Sequence, residues 1–267
     1  LNAREYNDWH LPIQNNKITA MNRFPGKIVL ITGASSGFGA AMTRAFTAEG
    51  ARAVPASRST GCDVTRREDV DKLVAQTVEQ YGRLDILINN AGIGLRAPFE
   101  HTRIADAEAL FDVNFFGAFH CVQAVLPVMQ RQRAGHIINI ASVAGFLGVP
   151  HTSIYSASKA ALIAFTDSLR LEVKRDGIAV TCVCPGRAND TGFDAHTKTH
   201  GPTAKYAVPG RLTTDVVVRA VLNVAEHPRA MVIVPPYGRL LRLANTFAPR
   251  AVDRYLHKHL PRMPVTP

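Results

Sequence analysis

Lys27–Thr32 (KIVLIT) runs apolar and β-branched, then breaks at once into Thr32-Gly33-Ala34-Ser35-Ser36-Gly37-Phe38-Gly39. So short a run, apolar at nearly every position, reads as a strand buried on both faces, the kind found in parallel sheets. Glycines in the turn that follows remove the Cβ atoms that would keep a ligand away from the backbone. A helix start behind such a turn offers free N–H groups and the positive end of a dipole, which suits a pyrophosphate. Ala40–Glu49 has helix-forming composition and stops at Gly50, so the turn joins strand to helix. The glycine spacing is G-x-x-x-G-x-G, a variant of the commoner dinucleotide fingerprint.

The pattern repeats along the chain. Arg52–Ser57, Leu84–Asn89, His136–Ala141, Ala179–Cys184 and Met231–Val234 read as strands. Arg67–Tyr81, Ala105–Arg133, Ser153–Lys174 and Thr214–Ala225 read as helices. Strand and helix in alternation predict an α/β fold, a parallel sheet with helices on both faces. The chain has 267 residues, 46% apolar and 19% charged, which excludes disorder throughout. No uninterrupted apolar run approaches the ~20 residues of a spanning helix. Four cysteines, with Cys182 and Cys184 on one strand face, read as small core residues in a reducing compartment. Leu1–Ala20 is polar and lacks the apolar segment of a secretory signal. We therefore expect residues 1–22 to be a poorly ordered extension, 23–236 the domain, and 237–267 a basic helical tail, with the protein cytoplasmic.

Tyr155 and Lys159 are four apart on a helix and share a face. A phenol near pKa 10 is a poor proton carrier at neutral pH, and a lysine cation beside it favours the phenolate. Such a pair suits proton transfer to or from an alcohol or carbonyl oxygen. Ser142, just past a strand, is placed to hold the same oxygen, and Asn114 to orient Lys159 through water. With TGASSGFG, Cys62-Asp63-Val64, Asn89-Asn90-Ala91-Gly92 and Pro185-Gly186 in this order, the chain resembles the short-chain dehydrogenase/reductase family from about Lys27 to Met231. The intervals Ser142 to Tyr155 (13 residues) and Asn90 to Asn114 (24 residues) also fit that family.

The resemblance implies a single doubly wound, Rossmann-type domain that binds NAD(H) or NADP(H) and moves hydride between an alcohol and a ketone or aldehyde. In it Tyr155 is the proton donor or acceptor. Lys159 lowers its pKa and holds the nicotinamide ribose, Ser142 positions the substrate oxygen, and Asn114 anchors a relay. Gly33, Ser35, Ser36, Gly37 and Phe38 would line the pyrophosphate and ribose. Asp63 and Val64 would flank the adenine, Asn90, Ala91 and Gly92 would close over its ribose, and Pro185 and Gly186 would border the nicotinamide. The family often has a threonine four residues beyond that glycine; here Asp190 stands there, and Thr191 serves if the loop bulges.

The chain departs from the family between Gly50 and Asp63. Gly33 to Asn89 spans 56 residues, short by about a helix and a strand. Either Arg52–Ser57 is the second strand and the next helix and strand are missing, or it is a remnant of the third. In the first alignment Arg58 takes the place of a basic contact to a 2′-phosphate, with no acid there for ribose hydroxyls, so NADP(H) is expected over NAD(H). The alternative is a degenerate member that binds nucleotide or regulates without turnover.

Residues 187–208, with Phe193, His196, His200 and Tyr206, are expected to form a lid over the substrate. His196 and His200 lack a third ligand, so no metal is expected. Val143–Val149 is apolar and predicts an apolar substrate. A homodimer or homotetramer through the long helices follows from the resemblance. Arg229–Pro267 holds seven Lys and Arg against one acid, +6 of the chain's net charge of +10. Charge without a recognised motif argues against nucleic acid. The stretch Arg239–Phe247 is expected to pack by its Leu/Phe face, with peripheral membrane contact the less favoured reading.

Overall fold

The computed structural model describes residues 22–188, 190–202 and 212–259. All but one residue of the expected N-terminal extension, together with Asn189, Tyr206 and the last eight residues, lie outside the described residues.

In chain order the elements are β1 (Ile28–Thr32), α1 (Gly37–Ala48), β2 (Arg52–Ala56), α2 (Arg67–Tyr81), β3 (Ile86–Asn89) and β4 (Gly94–Arg96). There follow α3 (Ile104–Phe111), α4 (Gly117–Gln132), β5 (Gly135–Ile140), α5 (Ser153–Glu172), β6 (Ile178–Pro185) and β7 (Thr197–Thr199). The described chain ends with α6 (Thr214–Glu226), β8 (Met231–Val234), α7 (Gly238–Phe247) and α8 (Pro249–His259). The main sheet is six-stranded and parallel throughout, in the order β2-β1-β3-β5-β6-β8.

Side-chain alternation along β1 builds both core layers. Val29 and Ile31 join Met42 and Phe46 of α1 and Val217 and Val221 of α6 on one face. Leu30 turns the other way, to Leu87, Val125, Met129, Ile137 and Leu169. With helices on both faces, order reverses at β1: the chain goes outward to β2, then returns across to β3. Open sheets of this kind bind ligands in the crevice beyond the strand ends at such a reversal.

Arg52–Ala56 pairs with β1 along its whole length and is the edge of the sheet. That decides between the two alignments: the strand occupies the position next to β1, and no described strand lies beyond it. Pro55 is tolerated there because an edge strand has one side free of ladder bonds.

Ile104–Gln132 is a continuous helical run of 29 residues whose best 18-residue window has mean hydropathy 1.4, enough by length and composition to cross a membrane, although no uninterrupted apolar run within it reaches that length. Scattered polar residues interrupt the run without lowering its average much. In the fold Leu110, Cys121, Val125 and Met129 bury one side of it. One expectation is corrected: the Leu/Phe face of α7 does not pack inward. Leu240, Leu243 and Phe247 are 69%, 53% and 82% exposed. The helix is anchored by another stripe. A Cβ at Gly238 would lie 2.6 Å from Ile233, and Asn245 Nδ2 donates to the Phe146 carbonyl at 3.1 Å.

A smaller parallel pair, β4 with β7, was not foreseen. It ties the segment after β6 back to the segment after β3.

Candidate active site

Every motif singled out in the sequence lies at the carboxyl ends of the parallel strands, except those carried by helices that reach over the same edge. The glycine turn follows β1, Asn90-Ala91-Gly92 follows β3, Ser142 follows β5, and Pro185-Gly186 ends β6.

The glycine turn is held from behind by β3's continuation. Thr32 Oγ1 accepts the N–H groups of Asn90 and Ala91, both at 3.0 Å. Asn90 Nδ2 donates to the carbonyls of Thr32 at 2.9 Å and Gly33 at 3.3 Å. Asn90 thus braces the turn. Gly33 has φ +65°, and a Cβ there would sit 2.8 Å from Ala91 Cα. A Cβ on Gly39 would come within 2.1 Å of the Gly33 carbonyl oxygen. Ser36 caps α1 in extended backbone but makes no side-chain cap bond, so the first N–H groups of the helix have no partner from that hydroxyl. Beside them a cavity of about 490 Å³ is lined by Ser35, Ser36, Gly37, Arg44, Asp190 and Thr214. Uncapped helix N–H groups and a turn stripped of Cβ atoms fit a dinucleotide pyrophosphate. Phe38 packs partly on the core layer that includes α1 and α6.

Gly39→Ala tests this directly. The clash is with backbone oxygen, which cannot yield without opening the turn. We expect a loss of about 2–3 kcal/mol in urea melts together with loss of nucleotide binding. Gly148→Ala, with nothing within 4 Å of the new Cβ, is the neutral control.

Tyr155 and Lys159 stand on the first turns of α5. Tyr155 is half-buried, with its hydroxyl under the influence of Ser142. Burial pushes the phenol up to about 12, and the Ser142 hydroxyl pulls the other way without overcoming it. Lys159 is buried, and Nζ donates to the Ile140 carbonyl at 3.0 Å while lying 6.0 Å from the Tyr155 ring centre. Burial holds this lysine down to about 8, against the opposite pull of Cys182 and Cys184. The expected lowering of the Tyr155 pKa by Lys159 is therefore not the dominant effect; desolvation is. Ser142 donates to the Pro185 carbonyl at 3.4 Å and accepts the Ala144 N–H at 3.2 Å. Cys182 and Cys184 share a face of β6, their sulfurs 3.7 Å apart.

Asn114 lies where α3 and α4 join through a π-turn, Asp112–Phe116. One such widened turn inside a helix often marks a functional position. It brings the Asn114 side chain inward, almost fully buried. Its Oδ1 accepts the Ile93 N–H at 2.8 Å; its Nδ2 donates to the Ile93 carbonyl and to Ser158 Oγ, both at 3.1 Å. A Cβ on Gly92 would lie 3.3 Å from Asn114 Oδ1 and 3.5 Å from Lys159 Nζ, so the three converge.

Sequence reasoning missed the polar ladder that sets α5 against the sheet. Asn89 Nδ2 donates to Asn139 Oδ1 at 2.8 Å, and Asn139 Nδ2 donates to Thr166 Oγ1 at 2.9 Å. Only Asn89 stood in a recognisable motif; a lone Asn in β5 and a lone Thr in α5 carry no pattern.

Other expected residues fall nearby with varied surroundings. Arg58 opens a short helical turn after β2, is exposed, and among the described residues has no ion-pair partner. Asp63 Oδ1 accepts the backbone N–H of Thr65 at 3.0 Å and its hydroxyl at 2.8 Å. Val64 is buried, and a Cβ on Gly117 would lie 2.7 Å from its Cγ2. The Thr191 carbonyl oxygen would lie 2.9 Å from a Cβ on Gly37, so the loop does bring Thr191 against the glycine turn. Asp190 instead accepts the N–H and hydroxyl of Thr214, both at 2.9 Å to Oδ1, at the start of α6. Gly186 N–H donates to the Val234 carbonyl at 2.6 Å.

The lid is pinned. Phe193 lies 6.0 Å from the Tyr155 ring, centre to centre. Asp106, buried, accepts from Arg103 at 2.7 Å, Lys198 at 2.8 Å and His200 at 2.9 Å, which holds its carboxyl well below the usual range. His200 is thus engaged with a carboxylate, while His196 is exposed.

A nucleotide-type turn at the sheet's reversal, faced across the strand ends by a Ser–Tyr–Lys set, defines a dinucleotide-dependent oxidoreductase fold and site. The family model described as short chain dehydrogenase matches residues 56–200, beginning downstream of the glycine turn. The ketoacyl reductase HetN of a Nostoc species is 33% identical over 260 residues, covering 88% of this chain and 89% of that protein. A solved short-chain dehydrogenase from Streptomyces avermitilis is similar in fold, with TM-score 0.76, 29% identity and coverage of 87% of this chain and 96% of that one. A short chain dehydrogenase/reductase from Burkholderia phymatum, solved in complex with NAD, gives TM-score 0.73 and 26% identity over 92% of this chain and 99% of its own. The chain belongs to the short-chain dehydrogenase/reductase family of oxidoreductases.

Proposed function

We propose that the protein interconverts an alcohol and a ketone or aldehyde, uses NADP(H) in preference to NAD(H), and takes an apolar substrate. The observation that carries this is the placement of Tyr155 and buried Lys159 one turn apart on α5, the Lys159 Nζ 6.0 Å from the Tyr155 ring centre, with Ser142 just past the end of β5 beside them.

A bound nicotinamide supplies or accepts the hydride at the substrate carbon. The protein's own part is position and proton. In reduction, the Tyr155 O–H gives its proton to the carbonyl oxygen while the Ser142 hydroxyl donates a hydrogen bond to that oxygen. With the phenol at about 12, Tyr155 keeps its proton through the neutral range, the state that reduction needs. Lys159, once turned from the Ile140 carbonyl, holds a ribose hydroxyl and its charge favours the phenolate as the proton leaves. Asn114 keeps Ser158 and the Gly92 turn in register beneath Lys159.

The neighbour bound to NAD supports a nicotinamide dinucleotide, and the ketoacyl reductase relative supports a ketone. Arg58, exposed at the end of β2, supports the 2′-phosphate. Arg58→Ala should weaken NADPH binding about tenfold, as for one exposed charge-assisted contact, and leave NADH unchanged. Equal weakening of both would assign Arg58 elsewhere. Phe193 beside Tyr155 and the half-buried Val143, Phe146 and Leu147 support an apolar substrate. Assembly through the outer faces of α4 and α5, where Leu171 is exposed, goes with the same reading.

A second reading has one observation in its favour. With β2 at the sheet edge, the adenine side is bounded by a single strand and a short turn. That favours nucleotide binding without turnover. Titration with NADPH and NADH, followed by nicotinamide fluorescence, separates the two when paired with a panel of apolar ketones. Binding with turnover is expected. Binding without turnover supports the second reading, and no binding to the folded protein removes both.

A further inference from the structure

Helix α7 carries its apolar residues on the wrong side for a domain helix. Tyr237, Leu240, Leu243 and Phe247 fall at three- and four-residue spacing on one face. All four are exposed, Phe247 by 82%. The face that meets the domain uses Gly238 and Asn245 instead. Helix α8 lies against α7, with Val252 buried and Tyr255 exposed. An apolar patch on the outside of a domain marks a surface that something covers.

The charge around it is of one sign. Tyr237–His259 holds five Lys and Arg against one acid, Asp253. Arg242, midway along α7, is exposed, its guanidinium 5.7 Å from the Phe146 ring centre. Arg250 and Arg254 are exposed and one turn apart on α8. Two copies of this face would bring like charges together, whereas an anionic surface answers both its charge and its apolar stripe. Helices of this composition, cationic on the flanks with Leu, Phe and Tyr between, lie in the headgroup region of bilayers.

We propose that the α7–α8 face docks on anionic lipid, with Leu240, Leu243 and Phe247 dipping among the headgroups and Arg250 and Arg254 on lipid phosphates. The proposal stands apart from turnover and cofactor choice, since it uses none of the residues at the strand ends.

Full-length protein is floated with vesicles of phosphatidylcholine alone and with phosphatidylserine mixed in, at low and high salt. Partitioning is expected only with the anionic lipid and is expected to fall as salt rises. Arg250→Ser and Arg254→Ser should each lower it about fivefold. Phe247→Ser should lower it about tenfold or more, with an unchanged thermal melt because the side chain is already in solvent. No partitioning, or partitioning indifferent to anionic lipid, overturns the proposal. So does a dimer that light scattering detects without vesicles and that Phe247→Ser dissolves, if vesicles are not bound; the face then belongs to a second copy.

Discussion

Tyr155→Phe is expected to lower kcat by about 10²–10⁴-fold, the usual worth of one positioned acid or base, and to leave NADPH affinity within a factor of three or so. The substitution removes one oxygen and keeps the ring, so the contact with Phe193 survives. Ser142 retains the Pro185 carbonyl and the Ala144 N–H as partners, and stability should change by less than about 1 kcal/mol. The pH profile gives an independent reading. With the phenol near 12, the protonated form dominates at neutral pH, so reduction should be flat there. Alcohol oxidation needs the scarce unprotonated form, and its kcat/KM should climb with pH. Flat profiles in both directions, with a Tyr155→Phe enzyme that keeps most of its rate, would assign the proton to another group.

Lys159→Met should do two things that ordinary core mutations do not do together: abolish turnover and raise stability at neutral pH. The wild-type lysine is buried, with its pKa lowered from 10.5 to about 8. Folded protein therefore binds fewer protons than unfolded protein between those values, and stability rises with pH across that window. Below about pH 8 the charged lysine is penalised by about 3 kcal/mol. Methionine has a similar length and no charge to desolvate. It loses the bond to the Ile140 carbonyl, a cost of about 1 kcal/mol. The variant should be more stable by about 2 kcal/mol at pH 7, and less stable than wild type above pH 10, where the lysine is neutral in both states. Urea denaturation at the two pH values checks the change of sign. A difference of the same size at both would mean that burial does not depress this lysine. Stability given up at a functional position is a common trade.

Much of this protein was legible in its residues. Each run such as KIVLIT or HIINIA is too short for a helix and too apolar for a surface, so only a buried parallel strand accommodates it. Helical spans followed from apolar periodicity, and α2 and α6 begin where the pattern says. Asn114, Ser142, Tyr155 and Lys159 were legible because four residue types at fixed intervals are far rarer together than apart. Local chemistry was enough to name them, and to place the glycine turn between a strand and a helix.

What tertiary structure decided depends on contacts between distant residues. Whether Arg52–Ala56 lies beside β1 could not be read from its own weak pattern; the ladder to Ile28–Thr32 settles it. The β4–β7 pair joins two three-residue strands about a hundred positions apart, each too short to show alternation. The sequence places Tyr155 and Lys159 to tune one another, yet burial outweighs their proximity, and burial is a property of the packed molecule. Helix α7 makes the same point most plainly. Its periodicity revealed an apolar face, but a repeat along one helix carries no information about which face the domain will meet. Gly238 and Asn245 bind α7 to the domain by the other side, and so the sequence determined that a face exists while only the fold decided that it looks outward.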